Sequence, residues 1–327
     1  MARFFSNSLN RMMKEIQTIK LNQKENKMRL VYVLNNNCRN SSHAWFISRH
    51  FTLGCLLSLT CILYSCQPGN SPSPQDASVV AKTTAIKDKV IMAVFAHADD
   101  EYTVAPVLAR YAREGARVYL VTATDGRYGT GQTNLEPGEE LVALRKEELN
   151  CAALNMGIEK PIWLGYHDQL KLRDGFFGHV PYVQQMMRDI DSLVNQLQPD
   201  VILTWGPDGE SNHMDHRLVG ASVSQVYLSK IWDKTKALYY VATPSSHIKD
   251  ADYRMLSGVD DSYLTVQISF TREDQEKAVK AFECYKTQYS KETMEKVARK
   301  ASEEKRTIYF RPLVRSASIS QDLFIIP

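Results

Sequence analysis

Two short stretches, more than a hundred residues apart, combine histidines with carboxylates. Residues 95–101 (FAHADDE) place one histidine beside three consecutive acids, and residues 213–216 (HMDH) place one aspartate between two histidines. Imidazole and carboxylate groups are ligands that zinc prefers, and three protein ligands beside an open position are typical of a catalytic zinc site. Zinc lowers the pKa of a water ligand from about 15.7 towards about 7, so that a nucleophile is available at neutral pH. Two histidines and one aspartate as ligands would leave one aspartate as a general base and one histidine to stabilise an oxyanion. The candidate residues are His97, Asp99, Asp100, Glu101, His213, Asp215 and His216.

Each stretch also has a simpler explanation when it is taken alone. Asp99, Asp100 and Glu101 are suited to capping the amino end of a helix and to interacting favourably with its dipole. The two histidines of residues 213–216 are suited to a solvated loop. Neither explanation accounts for the fact that both stretches follow predicted strands of one sheet, whereas a metal site does.

Short apolar runs alternate with helical patterns and would position these stretches. Buried strands are indicated at 90–96, 117–123, 161–165 and 200–206, and helices at 104–115, 139–157 and 183–198. We therefore predict an α/β fold, a Rossmann-like, doubly wound and mostly parallel sheet with helices on both faces. In such sheets ligands bind beyond the carboxyl ends of the strands, which is where both stretches lie. Later in the chain, 237–243, 263–270 and 307–315 indicate strands, and 271–304 indicates a charged helical region.

AHADDE (96–101) resembles the AHPDDE signature of the LmbE-like/PIG-L family of zinc-dependent N-deacetylases, and HMDH resembles the family's HPDH element. The resemblance extends over residues 89–290 in the family's order and spacing. Its supporting matches are TDG at 124–126, Arg145-x-x-Glu148, LGYHD at 164–168 and KTQ at 286–288. Ala98 and Met214 depart from the family pattern at positions that are not ligands, and Ala98 puts the stiffness of its loop in doubt because the family usually has proline there.

The resemblance implies a hydrolase that removes the acetyl group from an N-acetylglucosamine-type substrate. It implies the zinc ligands His97, Asp100 and His216, with Fe²⁺ or another divalent ion able to use the same donors. It makes Asp99 the general base, His213 the group that stabilises the oxyanion, and Asp215 a residue that orients a histidine. It places Arg145, Glu148 and Asp168 near the hydroxyl groups of the substrate. Glu101 is expected to support the loop rather than to react.

Several of these residues have other interpretations. Arg145 and Glu148 have the spacing of an ion pair on a helix surface, and Asp168 could cap a turn. The glycine-rich stretch 126–131 (GRYGTG) matches neither a dinucleotide-binding nor a P-loop pattern, so we expect a flexible loop that borders the site. Trp163 and Trp205 are expected in the core.

Two other functions are compatible with the sequence. The first is a zinc amidase that acts on a different amide, such as a thiol conjugate or an antibiotic precursor. The second is a lipoprotein that binds carbohydrate without catalysis. A nicotinamide- or nucleotide-dependent Rossmann enzyme is excluded because no glycine fingerprint follows the first strand.

The N-terminal segment predicts export and lipid attachment. Residues 1–65 contain nine Lys/Arg and two acids, a charge of +7 that leaves −4 for the rest of the chain, so the folded part has no basic excess for nucleic acid. The apolar run 51–65 is short for a membrane span and is typical of a signal peptide. It ends in LYSC, which resembles a bacterial lipobox with lipid attached at Cys66; an uncleaved membrane anchor is the alternative. We predict a leader at 1–66, whose true start could be Met28, a Pro/Ser-rich linker at 67–88 and a domain at 89–327, held outside the cytoplasm at a bacterial membrane.

The six cysteines do not indicate a disulfide framework. Three of them fall in the leader, and Cys66 is the predicted lipid site. Of the remaining two, Cys151 falls on an apolar helix face, so we predict a buried free thiol rather than a bridge to Cys284. The sequence gives no indication of oligomeric state.

Overall fold

The computed structural model describes residues 86–170, 182–303, 306–316, 318 and 321. The predicted leader 1–66, with Met28 and Cys66, and residues 67–85 of the predicted linker lie outside this part of the chain. The lipobox and the boundaries of the three predicted segments therefore stay predictions. No helix among the described residues is both long enough and apolar enough to cross a bilayer.

A mostly parallel sheet forms the centre of the fold, as predicted. Its strands are β1 Val90–Phe95, β2 Arg117–Thr124, β3 Ile162–Tyr166, β4 Val201–Trp205, β5 Ala237–Pro244, β6 Gly258–Val259, β7 Val266–Ser269 and β8 Thr307–Pro312. Their order is β3-β2-β1-β4-β5-β8-β7, and β6 pairs with β5. Among the strands of the described residues, only the pairings of β8 with β5 and with β7 are antiparallel.

Helices cover both faces of this sheet. They are α1 Ala105–Arg113, α2 Glu139–Met156, α3 Val183–Leu197, α4 Gly209–Asn212, α5 Met214–Leu228, α6 Ala251–Ser257, α7 Arg272–Phe282 and α8 Lys291–Glu303, with short 3-10 turns at Asp100–Thr103, Ser245–His247 and Asp261–Tyr263. Alternate side chains of β1 point to opposite faces. Ile91 and Phe95 belong to a core shared with α1, α2 and α7, whereas Met92 and Val94 pack with α3 and α5. Because β1 is buried on both faces, its sequence is a continuous apolar run.

The strand order reverses at β1, and this brings the two His/Asp stretches together. The chain runs from β1 outward to β2 and β3, then returns to place β4 on the other side of β1. Ligands bind at such a reversal point. A Cβ atom on Gly220 of α5 would lie 2.4 Å from the Trp205 carbonyl oxygen, so glycine allows α5 to pack closely on β4.

The charged region 271–304 is helical, as predicted, and it forms two helices, because residues 283–290 are a turn between α7 and α8 that is held by buried partners elsewhere. The predicted free thiol is wrong, since Cys151 forms a disulfide with Cys284. Cys151 lies on the exposed side of α2, where the end of α7 approaches to a Cα–Cα separation of 5.9 Å. The helix pattern identified the apolar face but not the partner helix.

Candidate active site

The loop after β1 holds the first half of the site in an unusual backbone conformation. Asp99 has a left-handed backbone with φ of 94°, which costs a residue other than glycine about 1–3 kcal/mol. Glu101 stabilises this conformation because its Oε2 accepts a hydrogen bond from the Asp99 N–H at 3.1 Å. Glu101 is buried, and burial raises its pKa to about 8. It thus supports the loop, as predicted.

The two carboxylate oxygens of Asp100 have different surroundings: Oδ2 accepts hydrogen bonds from the loop and from Trp205, and Oδ1 faces the histidines. Its Oδ2 accepts hydrogen bonds from the backbone N–H groups of Ala96 and His97, both at 2.9 Å, and from Trp205 Nε1 at 3.3 Å. Its Oδ1 lies 3.1 Å from His216 Nε2. Burial alone would raise the pKa of Asp100, but the His216 and His97 rings lower it well below its usual value. Asp100 is therefore an ionised carboxylate that presents one oxygen to the two histidines.

Both histidines are oriented through the nitrogen that faces away from Asp100. His216 Nδ1 donates to the Gly209 carbonyl oxygen at 2.9 Å, and its ring stacks on Trp205 with the ring centroids 4.8 Å apart. His97 Nε2 lies 3.3 Å from Asp168 Oδ1 and 3.4 Å from Asp215 Oδ2. A histidine whose other nitrogen donates to a carbonyl or carboxylate has its tautomer fixed for metal binding.

The three free donor atoms fit a tetrahedral metal ion. His97 Nδ1 lies 3.2 Å from His216 Nε2 and 3.6 Å from Asp100 Oδ1. Zinc binds such atoms at about 2.0–2.2 Å, which places neighbouring tetrahedral ligands about 3.4 Å apart. Burial would lower the pKa of His97, but Asp100, Asp168 and Asp215 raise it well above its usual value, so this cluster favours a positive charge. The predicted ligands therefore converge, and their geometry fits the ion.

A second group of possible ligands surrounds the other nitrogen of His97. Asp168 and Asp215 each bring a carboxylate oxygen close to it, within the spacing of a metal site. These carboxylates are already hydrogen-bonded to the backbone, however: Asp215 accepts from the N–H groups of Gln169 and Leu170, and Asp168 accepts from that of Tyr128 at 3.2 Å. Both carboxylates thus face His97 Nε2 while the backbone holds them, which is the arrangement that the orienting role predicted for Asp215 requires. The turn-capping interpretation of Asp168 is also met, since its Oδ1 accepts from the Gln169 N–H.

His213 stands at the exposed side of the cluster. It caps the amino end of α5, where its Nδ1 accepts a hydrogen bond from the Asp215 N–H at 3.2 Å. In the neutral ring the proton is therefore on Nε2. Burial lowers the pKa of His213, and the neighbouring His97 and His216 rings lower it further. A neutral imidazole with a free N–H can donate to a developing oxyanion.

Asp99 has two partners that the family motif did not indicate. Its Oδ2 accepts a hydrogen bond from the Tyr289 hydroxyl at 3.2 Å, and its Oδ1 lies 3.8 Å from Arg145 Nη2. Burial raises the pKa of Asp99 to about 6, although the Arg145 guanidinium opposes this shift. A general base works best when its pKa lies near the working pH.

Arg145 and Glu148 are both buried on α2, so their interpretation as a surface ion pair is wrong. Arg145 Nη2 donates to the Ala98 carbonyl oxygen at 2.5 Å, while its Nε and Nη1 have no hydrogen-bond partner among the described residues. Glu148 accepts hydrogen bonds from both the N–H and the hydroxyl of Thr287, at 2.7 and 2.6 Å. Arg145 thus has two buried donors without a partner in this part of the chain, whereas both carboxylate oxygens of Glu148 are occupied by Thr287.

The glycine-rich stretch 126–131 lies against Arg145, and it therefore borders the site, as predicted. A Cβ atom on Gly129 would lie 2.7 Å from Arg145 Nη1, so a side chain at this position would require the Arg145 guanidinium to shift. Trp163 is partly buried and Trp205 is fully buried. Trp205 is more than a core residue, because its ring N–H anchors Asp100.

Sequence reasoning missed the two tyrosines of the turn after α7. Tyr285 donates a hydrogen bond to Glu101 Oε1, and Tyr289 donates to Asp99. Their four-residue spacing was visible in the sequence, but nothing there connected it with a loop more than 180 residues earlier.

The fold and the cluster define a Rossmann-like α/β protein with a His/Asp site that fits a metal ion. The family described as PIG-L: GlcNAc-PI de-N-acetylase matches residues 92–227. Residues 92–227 therefore match a domain of the PIG-L, LmbE-like deacetylase family, which confirms the resemblance inferred from the motifs.

Individual proteins agree with this assignment. A 1D-myo-inositol 2-acetamido-2-deoxy-alpha-D-glucopyranoside deacetylase of Mycolicibacterium vanbaalenii is 27% identical over 179 residues, which cover 49% of this chain and 62% of that relative. The match thus spans less than two thirds of the relative. The N,N'-diacetylchitobiose deacetylase of Pyrococcus horikoshii has a similar structure, with a TM-score of 0.52 at 20% identity over 69% of this chain and 84% of that chain. A zinc-inhibited form of teicoplanin deacetylase Orf2 also has a TM-score of 0.52, at 18% identity over 71% of this chain and 100% of that chain. At these identities the two structures establish the fold.

Proposed function

We propose that this protein is a zinc-dependent hydrolase that removes the acetyl group from an N-acetylglucosamine-type substrate. The observation that carries the proposal is the convergence of His97 Nδ1, Asp100 Oδ1 and His216 Nε2, with separations of 3.1 to 3.6 Å. The names of the curated relatives support the reaction, since they are deacetylases of acetylated amino sugars. Another divalent ion, such as Fe²⁺, suits the same donors.

Each side chain has a distinct task in this proposal. Zinc, when bound, supplies a Lewis acid that makes water a nucleophile at neutral pH. Asp99 takes the proton from the attacking water and returns it to the leaving amine. His213 donates its Nε2–H to the oxyanion of the tetrahedral intermediate. Asp215 and Asp168 hold His97 in the orientation that its ligand role needs.

Arg145 supports this site from behind the loop, since its Nη2 holds the Ala98 carbonyl oxygen and lies 3.8 Å from Asp99 Oδ1. Its two unpaired donors are buried against the glycine-rich stretch, so they do not face a substrate in this structure. Glu148 acts on this region indirectly, through Thr287.

The test is acetate release from a panel of N-acetylglucosamine derivatives by the zinc-loaded protein. Replacing Asp99 with Asn should lower kcat by about 10²- to 10⁴-fold while the metal content stays at the wild-type level. Full activity of Asp99→Asn would refute the assigned base. The panel should include thiol conjugates and acylated antibiotic precursors, because hydrolysis of these alone would identify a different amidase. A protein that binds sugars and never releases acetate after zinc addition would be a binding protein.

We also propose that the chain is a lipoprotein held outside the bacterial cytoplasm. The LYSC stretch supports this, and so does the Cys151–Cys284 disulfide, because disulfides persist mainly in oxidising compartments. Labelled palmitate should be incorporated into the wild-type chain in bacterial cells and not into Cys66→Ala. Equal labelling of the two would refute lipid attachment at Cys66.

A further inference from the structure

The turn between α7 and α8 carries two tyrosines that reach the reaction centre. The N–H of Tyr289 donates to the carbonyl oxygen of Tyr285 at 3.1 Å, so the two residues are one helical turn apart. Residues separated by four positions in such a turn lie on the same side of the backbone. Both hydroxyl groups are therefore directed to the same neighbour, the loop after β1.

Tyr289 anchors the proposed general base directly. Its hydroxyl donates to Asp99 Oδ2 at 3.2 Å, and its ring packs on Phe282 with a centroid separation of 4.5 Å. Phe282 packs in turn on Tyr102, at 4.4 Å. Because the ring is held on this aromatic stack, the hydroxyl is a fixed donor.

Tyr285 acts on the same base through its backbone. The Tyr285 hydroxyl donates to Glu101 Oε1, and the other oxygen of Glu101 accepts the Asp99 N–H at 3.1 Å. This hydrogen bond supports the left-handed conformation of Asp99. The turn thus holds both the carboxylate and the backbone of one residue.

We infer that Tyr289 is a positioning residue for Asp99, and that Tyr285 assists it through Glu101. The inference rests on the proposed function, in which Asp99 transfers the proton. A carboxylate with no anchored oxygen rotates about its Cβ–Cγ bond. The Tyr289 hydroxyl removes this freedom by occupying Oδ2, so that Oδ1 remains for the proton. Asp100 uses the same arrangement, with Oδ2 anchored and Oδ1 free for the ion.

The experiment compares Tyr289→Phe with the wild-type protein on a substrate that releases acetate. The phenylalanine keeps the ring on Phe282 and removes only the hydroxyl. We expect kcat to fall about 10-fold, the lower end of the loss typical for groups that orient a metal site, with KM changed less than about twofold. The thermal unfolding midpoint should remain close to that of the wild type.

A matched control is Tyr227→Phe, which removes a hydroxyl that donates to the Lys236 carbonyl oxygen far from the site. This variant should keep the wild-type kcat. An unchanged kcat in Tyr289→Phe, or a loss expressed only in KM, would overturn the positioning role. A purely structural tyrosine would instead lower the unfolding midpoint and leave the kcat of the folded enzyme unchanged.

Crystal structures of the wild type and Tyr289→Phe, both with zinc, separate this inference from the proposed function. Rotation of the Asp99 carboxylate in the variant would support positioning, and an unchanged orientation would overturn it, whatever the substrate is. Failure of the wild type to release acetate from any amide would overturn the proposed function alone.

Discussion

The Cys151–Cys284 disulfide is predicted to contribute both stability and activity. It closes a loop of 133 residues between α2 and the end of α7. In the chain-entropy account, closing a loop of this length restricts the unfolded chain by about 5 kcal/mol, and removal of a native disulfide typically costs about 2–5 kcal/mol. For a domain of this size such a loss corresponds to a decrease of about 4–20 °C in the unfolding midpoint.

The activity should respond because Cys284 directly precedes Tyr285. Reduction breaks the sulfur–sulfur bond and leaves two thiols, while the phosphine reductant is oxidised. The turn then loses its covalent link to α2, which carries Arg145 and Glu148. Looser tyrosine anchors should lower kcat more than they change KM.

The assay is thermal unfolding and acetate release, each with and without a phosphine reductant. A phosphine is preferable to a dithiol because dithiols compete for zinc. The control is the double variant Cys151→Ser/Cys284→Ser, which should resemble the reduced wild type and should not respond to the reductant. If mass spectrometry shows a closed disulfide and reduction changes neither the midpoint nor kcat, the reasoning is refuted. Two free thiols in the protein as isolated from an oxidising compartment would restore the free-thiol prediction.

Two further predictions concern pH and metal. Burial would raise the pKa of Asp274, but hydrogen bonds from Arg113 outweigh burial and lower the pKa from 3.8 to about 2. The ionised carboxylate therefore stabilises the folded protein fully above about pH 4, and this stabilisation is lost as the pH falls through 2. Asp274→Asn should therefore lower the free energy of unfolding by about 2 kcal/mol at pH 7, and urea titrations should show a smaller loss below pH 4. A loss no larger than that of the exposed control Asp233→Asn would contradict this role of Asp274. Chelation should lower the unfolding midpoint, since zinc at about 1,000 times its Kd adds about 4 kcal/mol. His216→Ala should abolish the chelator effect and His247→Ala, outside the cluster, should retain it; an equal response of both variants would place the ion elsewhere.

Much of the fold could be predicted because its signals are local. The continuous apolar run of β1 and the helical spacing of α1, α2 and α3 determined the layers, and their bounds agree with the structure within a few residues. The region after residue 271 was harder. Its charged pattern is helical on both sides of residues 283–290, and the turn exists because distant buried groups bind it. Such tertiary partners leave no periodic signal.

The candidate site shows the same difference between features that local sequence signals predict and contacts with distant partners, which they do not. The convergence of His97, Asp100 and His216 was predictable, because strand ends at a reversal of strand order must meet. The partners of each ligand were not predictable, since Trp205 and Gly209 could have served only the core and a turn. Likewise, the family resemblance placed Glu148 near the substrate and its spacing suggested a surface ion pair with Arg145, whereas both of its oxygens accept hydrogen bonds from Thr287.

These partners explain how the loop after β1 can function without the proline that the family usually has at position 98. Proline would stiffen the loop by fixing one backbone angle. Here the same stiffness comes from hydrogen bonds: Asp100 Oδ2 holds two backbone N–H groups before the turn, Glu101 holds that of Asp99, and Arg145 holds the Ala98 carbonyl oxygen. Each of these side chains is buried, so water does not compete for the bonds. The rigidity of the loop therefore depends on α2 and the tyrosine turn being docked, which is why the disulfide that joins them should affect kcat.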